Sequence, residues 1–461
     1  MLRTVRADRY RATLEAERPS TLTGRWRQRF EWLLFGAPLS SEAEHGERLP
    51  KWKALAIFAS DALSSSAYAT EEILLVLVLA GSGQLDIALP IAIAIALLLG
   101  MVVISYRQTV RAYPQGGGSY SVSRENLGTG AALVAAAALL TDYILTVAVS
   151  ISAGTLAVTS AFPELAGWRV ELAVAGILLI TLINLRGVRE SGSIFAIPTY
   201  LFISAFSALI LVGLVRLATG MEGATLGSGR PPAEDLPAVE ALSVLLILRA
   251  FASGATALTG VEAIANGVMA FRAPESRNAS MTMAWMGILL ATFFVSATFL
   301  ATRLGIVPVE GESVLSQIGR EVFGGIDAAY YFLQATTALV LFLAANTAFN
   351  DFPRLSSILA RDGYMPRRFM FIGDRLTFSV GIVVLGVISA IVVVGFGADT
   401  HRLIPLYAIG VFIAFTLSQS GMFVHWRRTH ERGWRRAAII NGLGAVATGI
   451  VALIVGFSKF T

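Results

Sequence analysis

Eleven apolar runs, each long enough to cross a lipid bilayer, constrain this chain more than any other feature. A hydrocarbon layer of ~30 Å needs about 20 residues of helix. Runs of that kind lie near residues 53–80, 88–109, 130–160, 170–186, 193–217, 240–270, 280–302, 328–350, 376–397, 403–425 and 437–458. They are continuous and unalternated, which excludes the two-faced segments of a membrane β-barrel. The chain is 55% hydrophobic and only 15% charged, where a soluble domain carries about 25% charged residues. The sequence therefore predicts an all-α integral membrane protein with about eleven transmembrane helices. It holds no cysteine, so disulfides, thiolate metal sites and thiol redox chemistry are excluded.

The distribution of charge orients these spans. With the N-terminus in the cytosol, 28 of the 36 Lys and Arg fall on the inner side, 7 on the outer side, and Arg249 within a span. That bias predicts a multi-pass protein of the cell inner (cytoplasmic) membrane with a cytoplasmic N-terminus. The net charge of +5 then reflects topology, and the partner is the lipid bilayer, not nucleic acid. Residues 1–52 form a basic cytosolic tail without the apolar core of a signal peptide.

Polar groups inside such spans are costly and mark pathways. In SDALSSSAYATEEILL (60–75), small and hydroxyl residues interrupt the first span. A discontinuous helix follows, because Ser and Thr can replace backbone hydrogen bonds. Asp61, Ser65 and Tyr68 share one face, while Glu71 and Glu72 read as a pair snorkelling at the span end. In LLTDYILTVAVSISAG, Asp142, Thr146 and Ser150 recur every four residues beside Tyr143. A stripe of carboxylate and hydroxyls suits a cation pathway better than a packing contact. In RAFASGATALTGVEAIANG, glycines and small residues break the sixth span next to Thr259 and Glu262. Interrupted helices at corresponding positions of two halves point to a transporter's central site.

Three features have plainer readings. Tyr407, early in the tenth span, reads on its own as an interface anchor. The glycine-rich Tyr113–Gly128 segment lacks the Lys-Ser/Thr of a phosphate loop and reads as a mobile cytosolic loop at a gate. Asn346, Asn350 and Asp351 read as a helix-end cap. No G-x-S-x-G motif occurs, and the four histidines (His45, His401, His425, His430) lie in or beside loops. An intramembrane enzyme is disfavoured on both counts.

These motifs, with SYRQTVRAYPQGGGSYSVSRENLG, ANTAFNDFP, LARDGYMPR and HRLIPLYAIGVFIAFTLSQSGM, resemble the KimA-type potassium importers. Those belong to the amino acid–polyamine–organocation (APC) superfamily, many members of which are labelled amino acid permeases. The similarity runs from Leu49 to the end of the chain. It implies the LeuT-type fold, with 5+5 inverted repeats over 53–225 and 226–427, discontinuous helices 1 and 6, and an additional helix 11 in 428–461. It also implies proton-coupled potassium uptake (K+/H+ symport), with potassium and protons as transported species and no cofactor. Carried over by motif, the cation site comprises Asp61, Tyr68, Asp142, Tyr143, Thr146, Ser150, Thr259 and Tyr407. Potassium would sit at Asp142, Tyr143, Thr146 and Thr259, and Glu262 would carry the proton. Such importers have a twelfth helix and a C-terminal cytoplasmic domain, both absent from this sequence. Homodimerisation, which that domain supports, is therefore not carried over. A proton-coupled amino acid permease of the same superfamily is the rival reading, and a non-transporting membrane sensor or truncated form is the rival of another class.

Overall fold

A computed structural model describes residues 2–6, 9–12, 48–116, 118–186, 192–220, 236–324, 326–371 and 378–460. Most of the N-terminal tail, and the 225/226 boundary between the expected repeats, lie outside these residues. The tail contributes one antiparallel hairpin, β1 (Leu2–Arg6) with β2 (Arg9–Ala12).

Among the described residues, ten helices are long and apolar enough to cross a membrane, and a shorter apolar helix, Ser379–Gly395, completes eleven. The first span is broken into α1 (Lys51–Phe58), α2 (Ser60–Ser64), a 3-10 turn at Ser65–Ala67 and α3 (Ala69–Leu77). The second span is α4 (Ala88–Ala112), followed by the short α5 (Ser119–Asn126). Spans three to five are α6 (Thr129–Ala161), α7 (Arg169–Leu185) and α8 (Gly192–Thr219). The sixth is broken like the first, into α9 (Val244–Gly254), a 3-10 turn at Ala255–Leu258 and α10 (Val261–Asn266). Then come α11 (Glu275–Arg303), a loop helix α12 (Val314–Phe323) and α13 (Asp327–Arg361). The chain continues through α14 (Ser379–Gly395), α15 (Thr400–Thr429) and α16 (Trp434–Phe460).

Polarity decides which spans occupy the centre. Of the most apolar stretch of each span, 78% is buried in the first and 61% in the third, sixth, eighth and tenth, against 17% in the fourth. The central five carry the small and hydroxyl residues, which allow close backbone approach and bond neighbouring carbonyls. Their hydroxyls also turn back on the helix, as Thr155 does on the Ile151 carbonyl at 2.8 Å, so little polarity is left unmet in lipid. The peripheral spans present Leu97, Leu178, Leu179, Ile391 and Leu453 outward, where only hydrocarbon suits them.

Candidate functional site

The two helix breaks meet. Gly260, at φ +77°, lies so near the first span that an added Cβ would stand 2.5 Å from the Ala62 nitrogen and 2.9 Å from Asp61 Oδ2. Only a residue without a side chain fits both the left-handed conformation and that approach. Beside it the Ser65 hydroxyl, placed by the 3-10 turn, approaches the Ala257 carbonyl at 3.1 Å. Tyr68 follows the turn and is buried, as is Thr259 on the other break. The interruptions therefore dock on one another in the interior.

At this junction lies a cavity of about 20 Å³, walled by Asp61 from the first span, Asp142, Tyr143 and Thr146 from the third, Glu262 from α10, and Asp351 from the eighth. A volume of that size holds one water-sized particle. Asp142 Oδ1 is buried and has no hydrogen-bond partner among the described residues. Three further carboxylates share its cavity, which is costly unless a cation or protons compensate them. Tyr407 is buried within the tenth span instead of standing at an interface. Leu139, Tyr143, Asn266 and Asp351 also line a larger vestibule of about 240 Å³, with Gln115, Gly118, Tyr120 and Arg354. The vestibule opens toward the basic loops.

Glu262 ties the cavity to α5. Its Oε1 accepts the Ser119 N–H at 2.6 Å and its Oε2 accepts the Ser119 hydroxyl at 2.9 Å. Ser119 is the first residue of α5, whose free N–H groups favour an anion. A Ser hydroxyl donates or accepts as required, so this contact accommodates Glu262 with or without its proton. Along α5, the Tyr120 hydroxyl next to Ser119 donates to Asp362 at 2.6 Å, and Arg124 one turn on forms an ion pair with the same carboxylate. The segment read from sequence as a mobile loop thus holds a helix whose backbone grips an intramembrane carboxylate.

On the opposite face, the snorkelling expected of Glu71 and Glu72 is corrected. Both are buried, with His401 between them: Nδ1 lies 2.7 Å from Glu72 and Nε2 lies 3.2 Å from Glu71. The acids pair with the start of the tenth span instead of reaching water.

Of the residues singled out in the sequence, Asp61, Asp142, Tyr143, Thr146 and Glu262 are on the cavity wall. Tyr68, Thr259 and Tyr407 are buried but are not on that wall. Ser150 is buried one turn further along the third span and is not on the wall. Sequence reasoning passed over Asp351, taken for a cap, and Asn266, whose amide donates to the Tyr143 hydroxyl at 3.2 Å. Their positions were legible only as polar residues near span ends.

The amino acid permease family matches residues 49–459. Potassium transporter KimA of Bacillus subtilis (strain 168) is 49% identical over 430 residues, covering 93% of this chain and 70% of that protein. Among solved structures, a Na+-coupled sialic acid symporter aligns over 92% of both chains at 13% identity, with a TM-score of 0.48. An Eremococcus coleocola manganese transporter aligns over 92% of this chain and 91% of that one, at 15% identity and a TM-score of 0.48. The family match spans almost the whole membrane region, and about half of the 430 aligned residues are identical in the relative. The chain belongs to the amino acid permease family, in the branch that includes KimA.

Proposed function

We propose that this protein is a secondary active transporter that takes up potassium across the cytoplasmic membrane together with protons. The observation that carries the reading is the cavity where the two broken helices meet. It has room for one water-sized particle and is walled by four carboxylates, one with an orphaned buried oxygen. Small-molecule sites occupy about 300–1,000 Å³, so a cavity of about 20 Å³ suits a dehydrated monovalent cation and not an amino acid. The 49% identity to a potassium transporter supports the same choice.

Asp142 and Asp61 supply the countercharge. The Thr146 and Tyr143 oxygens and the open backbone at Thr259–Gly260 replace part of the ion's hydration shell, and the Tyr143 face adds cation–π attraction. Glu262 carries the proton, and its bond to Ser119 reports its charge to α5. Arrival of a proton weakens that grip and frees α5 to open the vestibule toward the cytosol. Inward movement of each charge is driven by about 2.3 kcal/mol per 100 mV. The excess of Lys and Arg on the vestibule side supports a cytosolic position for that side and for the N-terminus.

Reconstituted liposomes test this. An inward proton gradient is expected to drive potassium accumulation, which Asp142→Asn and Asp61→Asn abolish. Glu262→Gln, which retains an acceptor for the Ser119 N–H, is expected to equilibrate potassium without responding to the gradient. Uptake of an amino acid with no movement of potassium would overturn the reading in favour of a proton-coupled amino acid permease.

A further inference from the structure

A second buried cluster of ionisable groups lies apart from the cation cavity, on the face opposite the basic loops. Glu71 and Glu72 are each 3% exposed, and the His401 ring stands between them, with a carboxylate oxygen at 2.7 Å from Nδ1 and another at 3.2 Å from Nε2. The second oxygen of Glu71 accepts the Val314 N–H at 3.1 Å. The cluster thus joins α3, the start of α15 and the loop helix α12. A neutral imidazole donates from one nitrogen and presents a lone pair at the other. Both ring contacts are hydrogen bonds only when the cluster holds one proton more, on the ring or on a glutamate.

We propose that Glu71, His401 and Glu72 form a proton-binding latch that closes the outer mouth of the transporter. The nearby cations are paired elsewhere. Arg402 pairs with Asp399 at 3.1 Å, and Asp399 also caps the His401 N–H. On the loop-helix side, Arg320 pairs with Glu312 at 2.8 Å and bonds the Ser160 carbonyl. On α9, packed against α3, Arg249 pairs with Glu240 at 3.4 Å. Asp86, before the second span, is exposed, and Tyr68 lies one turn below Glu72. As pH rises the extra proton leaves. Two carboxylates then face each other across a ring whose lone pair meets an acceptor, and the three elements separate.

The proposal rests on the potassium–proton reading and adds a step to it. The latch proton enters and leaves from the outer side, so it times closure of the gate, whereas the Glu262 proton crosses the membrane. Outer acidity then favours the closed-out, inward-open form.

Hydrogen–deuterium exchange of the full chain in lipid nanodiscs tests the latch, read from about pH 5 to about pH 11 and corrected for intrinsic rates. Peptides covering 69–77, 313–323 and 400–408 are expected to lose protection by about tenfold or more as pH rises. His401→Gln, which accepts no extra proton, is expected to flatten that profile. His401→Arg, permanently charged, is expected to remain protected throughout. Glu72→Gln, a milder change, is expected to weaken the pH response while the fold is retained. A wild-type profile already flat, or one that His401→Gln reproduces, overturns the latch. Potassium uptake by the same preparations separates the two readings. Uptake intact with a flat profile removes only the latch, and a pH-dependent profile lost in His401→Gln without any uptake removes only the transport assignment.

Discussion

Gly260 sits where the two interrupted spans come closest, and backbone atoms crowd it from the first span. Backbone cannot swing aside as a side-chain end can. Gly260→Ala is therefore expected to force the breaks apart, costing about 1–3 kcal/mol from the strained φ and more from the contact itself. Thermal unfolding and potassium uptake check this, and a variant with wild-type melting and transport would contradict the docking. Single residues also show what the sequence could reveal. Asp61 and Asp142 were legible because a carboxylate amid apolar residues is costly wherever the helix packs. Asp351 was not, since an acid one turn from a basic loop reads equally well as a cap. Glu71 and Glu72 were misread for a tertiary reason. Their partner, His401, is 329 residues from Glu72, and nothing local distinguishes a snorkelling acid from one that is paired and buried.

At the scale of elements, the breaks in spans one and six were legible from their runs of small and hydroxyl residues, which compete with helical hydrogen bonding. The role of α5 was not. Its residues are polar and glycine-flanked, and only the fold brings Ser119 to Glu262 and Arg124 to Asp362. Burial pushes the Asp362 carboxyl up, but the Tyr120 hydroxyl and Arg124 outweigh burial and leave it below its ordinary value. A carboxyl lowered in this way contributes stability above the ordinary aspartate value of about 4 and loses it as pH falls through the folded value. Docking of α5 is accordingly expected to hold steady through the neutral range. Asp362→Asn is expected to raise hydrogen exchange in residues 118–128 by less than about tenfold, as for a partly exposed pair. The difference from wild type should begin to shrink below about pH 4 and close as pH falls through the lower folded value, where the native carboxyl loses its charge as well. A difference independent of pH would show that Asp362 holds α5 by shape alone.

For the whole molecule, carboxylates that share one buried cavity destabilise the protein unless a cation or protons compensate them. Four acids share a cavity of about 20 Å³, and the buried Asp142 oxygen has no partner among the described residues. A ligand that binds only the folded state adds about 2.7 kcal/mol at a concentration 100 times its dissociation constant. Here the increment is expected from potassium and not from choline, which is too bulky for the cavity. Replacing potassium by choline at equal ionic strength should therefore lower the melting temperature. Equal ionic strength matters, because general screening would otherwise act on the surface charges as well. Asp142→Asn separates the two contributions. It removes the attraction for the ion, so the potassium increment should vanish. It also removes an uncompensated buried charge, so the variant in choline should melt no lower than wild type in choline. A variant that keeps the potassium increment would place the ion away from Asp142. One that melts far below wild type in both salts would mean that this carboxylate holds the third span in place instead of serving the ion.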